Sequence, residues 1–136
     1  MKLSDHQWKF LQDLSRLILF AEANGLMLTG GELLRFLDRQ KKYLAEGKSE
    51  ILRSRHLVSL AIDFNIFVDG KYIFNKSGEL IVGLEQIEPL ARYWESLDLH
   101  NISGFYWKKK DVPHFERRQT PRKVRLTYKQ IAKSEV

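Results

Sequence analysis

Cysteine is absent from the 136 residues. That excludes a disulfide framework and any thiolate-held metal, so a metal site has to be built from His, Asp or Glu, with only four histidines to search. Long apolar runs are missing as well. The longest purely apolar stretch, Leu17-Ile18-Leu19-Phe20-Ala21, is far too short to span a bilayer. Met1-Lys2-Leu3-Ser4-Asp5 lacks the apolar core of a signal peptide, so the expectation is a chain made soluble in the cytoplasm with no export route of its own. There is no internal repeat and no low-complexity segment. Helix-turn-helix and zinc-finger spacings are also lacking, which argues against sequence-specific nucleic-acid recognition.

What is present suits one domain: 43% hydrophobic residues in a chain of this length can bury a sizeable core. The formal net charge of +6 is unevenly placed. Residues 1–116 carry sixteen basic and sixteen acidic residues. Residues 117–136 carry Arg117, Arg118, Arg122, Lys123, Arg125, Lys129 and Lys133 against Glu135 alone. The expected organisation is therefore a neutral body, 1–116, and a basic C-terminal extension, 117–136.

Along the body, Ser4 with Gln7 reads as a capping box. It opens a helix whose stripe is Trp8, Leu11, Leu14 or Ser15, Ile18 and Ala21, stopped by Asn24-Gly25. Leu26–Thr29 reads as a strand running into Gly30-Gly31. A second helix is expected over about 38–46 and a loop over 48–55. From Leu60 to Val68 apolar residues alternate, Asp69-Gly70 follows, and Lys71–Phe74 resumes the pattern, a strong hairpin signal. Glu79–Leu97 reads as a further helix, with Leu80, Leu84, Ile87, Leu90 or Ala91 and Trp94 inward and Pro89 as an internal blemish. The fold class implied is α+β: helices packed on a small, mainly antiparallel sheet, in a single domain.

One residue does not fit an apolar strand. Asp63, expected to share a strand face with Asn65, costs free energy there unless it is paired, hydrogen-bonded or bound to a cation. The candidate partners are His56 upstream and His114 downstream, the latter preceded by Asp111 at a spacing of three. Two histidines and one aspartate suffice as protein ligands of a catalytic zinc, with Asp111 as a spare carboxylate beside it.

The segment Ser54-Arg55-His56 through Asp63, followed by Asp111-Val112-Pro113-His114-Phe115-Glu116, resembles the zinc peptidoglycan peptidases. That family comprises D-alanyl-D-alanine carboxypeptidases and phage L-alanyl-D-glutamate endopeptidases, and the likeness is to its small phage or prophage branch. It extends over Gly30–Arg35, Tyr43–Ser49 and Tyr93–Asp98 and stops where the basic segment begins. The resemblance implies Zn2+ held by His56, Asp63 and His114, Asp111 as general base, Arg35 steadying the developing oxyanion or a substrate carboxylate, and Ser54 as the serine of the Ser-x-His motif. Three positions depart from the family pattern: Ser59 stands for a common glycine, Phe36-Leu37 for Thr-Pro, and Ile102-Ser103-Gly104 for Trp-Gly-Gly. The implied reaction is hydrolysis of the peptidoglycan stem at L-alanyl-D-glutamate, with D-alanyl-D-alanine cleavage second. The implied route is synthesis in the host cytoplasm and action on the wall after a separate protein has permeabilised the membrane.

The remaining expectations are these. His6 and His100 are surface residues, and Trp8 and Trp94 belong to the core. Trp107 belongs either to the core or to a substrate wall. Lys108-Lys109-Lys110 is a solvated turn beside Asp111 that can favour its ionised form. A monomer is expected. Val124, Leu126, Tyr128 and Ile131 fit a strand or a helix equally, and the basic extension could engage an anionic wall or outer-membrane polymer. A rival reading is a degenerate, non-enzymatic fold whose basic extension binds nucleic acid or another anionic partner.

Overall fold

The computed structural model describes residues 1–30 and 60–123. The expected helix over 38–46, the loop over 48–55, the strand or helix within 124–131, and the candidates Arg35, Ser54 and His56 lie outside the described residues. In chain order the elements are helix α1 (Leu3–Ala23), strands β1 (Leu26–Thr29), β2 (Ala61–Asp63), β3 (Asn65–Val68) and β4 (Lys71–Tyr72), helix α2 (Leu84–Leu97), strand β5 (Asn101–Ser103), a 3-10 turn (Gly104–Tyr106) and strand β6 (His114–Arg117).

Among the described residues all strand pairs are antiparallel, and they form two three-stranded sheets, ordered β1-β3-β4 and β2-β6-β5. The α+β class expected from the sequence is what the chain adopts. The long alternating run from Leu60 to Val68 is nonetheless not one strand. It breaks at Phe64, so that Asp63 pairs with His114 in one sheet while Asn65 pairs with Thr29 in the other. Asn65 is exposed and its amide donates to Gly30 O, so it does not accompany Asp63. The Asp69-Gly70 hairpin forms as the turn chemistry requires, with both residues at positive φ (50° and 77°) as in a type I′ turn.

The core joins both sheets to both helices through Phe10, Leu14 and Leu17 of α1, Ile87, Leu90 and Trp94 of α2, and Ile62, Ile66, Phe105 and Phe115. Trp94 is fully buried, packs edge-on against Phe10 and Phe115, and donates its indole N–H to Ile102 O and Glu116 O. It thereby ties α2 to the middle of the second sheet.

Several expectations are corrected. Helix α1 begins at Leu3 and not after Ser4, with the Asp5 carboxylate accepting the Lys2 N–H. Its buried stripe is His6, Phe10, Asp13, Leu14, Leu17 and Ala21, leaving Trp8, Leu11 and Ile18 exposed. Leu14 and Ala21 are buried as expected, but periodicity misses the rest of the buried flank because it contains two polar residues, His6 and Asp13. Each has a distant partner: Asn101 donates to Asp13, and Arg117 Nε donates to His6 Nδ1. His6 is thus a buried residue and Trp8 a surface one, the reverse of the expectation. Helix α2 starts at Leu84, five residues later than expected. Residues 79–83 are held outside it by Asn75 accepting the Glu79 N–H and by a bridge from Phe74 to Leu80.

Strand β6 runs across the expected junction between body and extension. Arg117 is its last residue and fully buried, Arg118 pairs with Glu116, and Arg122 donates to the carbonyls of Glu95 and Asn101. Three of the seven basic residues behind the charge excess are therefore engaged with the body.

Candidate metal centre

Two local devices assemble the site. The first is cross-strand register: Asp63 ends β2 directly opposite His114, the first residue of β6, which places the two side chains side by side. The second is a tight turn. His114 N donates to Asp111 O at 3.1 Å, folding Asp-Val-Pro-His so that the acid and the histidine, three apart in sequence, meet in space. The turn is pinned from below, where Asp111 N donates to Gly104 O at 2.9 Å and Phe64 N donates to Pro113 O at 3.0 Å. Gly104 is required at this point because a Cβ there would run into the Asp111 carbonyl.

One ligand atom each from Asp63, Asp111 and His114 all fall within 4.8 Å of one another. His114 is buried, Asp63 half-buried and Asp111 exposed, so the cluster opens to solvent on the Asp111 side. Two carboxylates and an imidazole converging in this way are a suitable donor set for a divalent cation such as zinc.

His114 lies between two acids. Its Nδ1 hydrogen-bonds Asp63 Oδ1 at 2.9 Å and its Nε2 hydrogen-bonds Glu116 Oε1 at 2.8 Å. Burial alone would lower the imidazole pKa. The hydrogen bonds and negative charges of Asp63 and Glu116 outweigh it and raise the pKa to about 9. Burial likewise acts to raise the Glu116 carboxyl, yet hydrogen bonds from His114 and from Arg118, whose Nε donates at 2.9 Å, bring it below its ordinary value.

Sequence reasoning assigned no role to Glu116 or Arg118. The available signal was the strand period: residues 114, 116 and 118 alternate onto one side of a strand and its continuation, and an acid two residues from a metal-site histidine falls within its reach. Trp107 is half-buried, with its ring centroid 4.9 Å from that of His114. It therefore stands at the site and not in the core proper. Lys110 is turned away from Asp111: its ammonium donates to Phe105 O at 2.9 Å and lies over the Phe105 ring. Of the other expected site residues, Arg35, Ser54 and His56 fall outside the described residues.

This fold is similar to that of an endopeptidase. The crystal structure of Serratia marcescens L-Ala D-Glu endopeptidase ChiX matches with a TM-score of 0.56 and 29% identity, over 78% of this chain and 78% of that one. No family model and no curated protein matches the chain.

Proposed function

We propose that the chain is a zinc-dependent peptidoglycan peptidase that hydrolyses the bond between L-alanine and D-glutamate in the stem peptide. The observation that carries this reading is the convergence of Asp63, Asp111 and His114 at a solvent-open point of a fold similar to an L-Ala D-Glu endopeptidase.

Asp63 and His114 are the residues that would hold the metal, with His56 completing the set as the family resemblance implies. Zinc in such a donor set supplies Lewis acidity, polarising oxygen and lowering the pKa of water to about 7. The chain's own residues do the rest. Asp111, exposed to solvent, takes the proton of the attacking water and delivers it to the leaving amine as the carbon–nitrogen bond breaks. Arg35 is assigned to the negative charge that develops on the scissile carbonyl. Trp107 forms an aromatic wall against which the stem peptide lies, and Ser54 contributes a further substrate contact. Synthesis in the cytoplasm, with access to the wall through a separate membrane-permeabilising protein, is part of the same proposal. Among the described residues no helix is long and apolar enough to cross a membrane.

The test is digestion of purified sacculi by zinc-loaded protein, followed by identification of the newly exposed termini. New amino-terminal glutamate is expected. Free D-alanine instead would transfer the assignment to carboxypeptidase activity, and a fully metallated protein releasing no new amino groups would refute the peptidase reading.

A further inference from the structure

The Glu116 carboxylate does not belong to the converging group of Asp63, Asp111 and His114. It faces the far nitrogen of His114 and is itself gripped by Arg118. We propose that Glu116, oriented by Arg118, is a positioning residue that fixes the tautomer of His114, so that Nε2 carries the proton and Nδ1 is the nitrogen offered to a metal. This inference rests on the metal-dependent reading above and adds to it which nitrogen binds and what holds it.

The geometry supports the assignment from both sides of the ring. Nδ1 lies 2.9 Å from Asp63 Oδ1, which belongs to the converging donor set, whereas Nε2 lies 2.8 Å from Glu116, which does not. A neutral imidazole has one N–H and one lone pair, and an ionised carboxylate can only accept. Glu116 therefore demands the N–H at Nε2 and leaves the lone pair at Nδ1. Arg118 orients that carboxylate, because its Nε–H donates to Glu116 Oε2 at 2.9 Å while Oε1 serves the histidine. Main-chain pairing keeps these groups in place, because Glu116 sits opposite both Ala61 and Ile102 in the centre of the three-stranded sheet.

A variant with an inverted logic separates positioning from general structural support. In Glu116→Gln the side-chain oxygen stays with Arg118 and the amide NH2 turns to His114, which pushes the imidazole proton to Nδ1 and blocks the metal. Zinc affinity, measured by chelator competition on the full chain, should fall about 10- to 100-fold, as for other groups that orient a ligating histidine. Arg118→Met alone should lose less zinc affinity than Glu116→Gln, since the carboxylate loses its orienting partner but both of its oxygens still accept. Combining the two frees the amide to flip and present its oxygen to Nε2–H, so the double variant should bind zinc more tightly than Glu116→Gln. A merely structural pair would be damaged further.

Long-range 1H–15N correlation of the histidine rings in the zinc-loaded wild type, with only four histidines to assign, supplies a readout independent of any variant's folding. Metal on Nδ1 and a proton on Nε2 of His114 are expected. Metal on Nε2, or a double variant no better than Glu116→Gln, would overturn this inference while leaving the peptidase reading intact. Failure of the wild type to take up zinc would overturn both.

Discussion

Strand β6 carries a histidine-carboxylate-arginine cluster on each of its two faces, and the clusters are electrically opposite. On one face His114 lies between Asp63 and Glu116, and its pKa is raised to about 9. On the other, buried His6 accepts a hydrogen bond from Arg117, and burial together with that guanidinium's charge lowers its pKa. Arg117 also pairs with Asp98 at 3.1 Å, and Asp98 pairs with His100 at 2.7 Å. The residue types are the same, but in the first cluster the carboxylates outnumber the cation nearest the histidine, and in the second the arginine reaches the histidine first. A cation is therefore welcome at His114 and unwelcome at His6. That contrast separates a candidate metal centre from a structural lock more clearly than the presence of His, Asp and Glu does.

If the contrast is correct, damage to the two faces should dissociate. Asp111→Asn should lower kcat on a soluble stem-peptide substrate by about 10²- to 10⁴-fold, the usual worth of a positioned general base, with zinc affinity close to wild type. A loss of zinc equal to the loss of rate would instead make Asp111 a ligand. Gly104→Ala should act on the same face at one remove. The added methyl meets the Asp111 carbonyl, and a displacement of the base on the order of 1 Å can cost up to about 10²-fold in kcat. Unchanged turnover would show that the turn yields without moving the carboxylate.

Across the strand, Arg117→Met should leave zinc affinity per folded molecule unchanged and lower stability by about 3 kcal/mol in urea titrations, because a buried pair loses one member. A change in zinc affinity as large as the change in stability would mean that the two faces are not independent.

How much of this was legible follows the range of each interaction. The Asp69-Gly70 hairpin was visible because a two-residue type I′ turn states its requirement locally. The pairing of Asp63 with His114 was suggested by an unexplained acid in an apolar run. The break at Phe64 was invisible, since alternation continues unbroken through a point where the chain leaves one sheet for another. His6 was misplaced for a related reason: its partner Arg117 lies 111 positions away, and no window over the first helix contains it. Trp8 was misassigned with it, because α1 is apolar on two flanks and hydrophobicity favoured the one left exposed. Arg117 falls within the basic extension expected from the sequence, yet its charge adds to burial in lowering the His6 pKa and adds to the His100 hydrogen bonds in lowering that of Asp98.

The smallest effect expected is the pH dependence of the lock, and it has a definite sign. Burial and the Arg117 charge lower the His6 pKa in the fold, whereas the unfolded chain takes up a proton at the ordinary value of 6.5. Stability therefore falls as pH drops below about 6.5. Asp98 contributes a second, lower step. Burial acts to raise its pKa, but hydrogen bonds from the His100 backbone and ring and from Arg117 bring it from 3.8 to about 2. Its contribution is intact above its unfolded value and is lost as pH falls towards about 2. Urea midpoints measured from pH 7 to pH 5 in His6→Gln isolate the first step, because the Gln side-chain oxygen can still accept from Arg117 Nε while carrying no titrating proton. The variant should lose less stability over that interval than wild type does. An equal loss in both would place the acid sensitivity outside this face of β6.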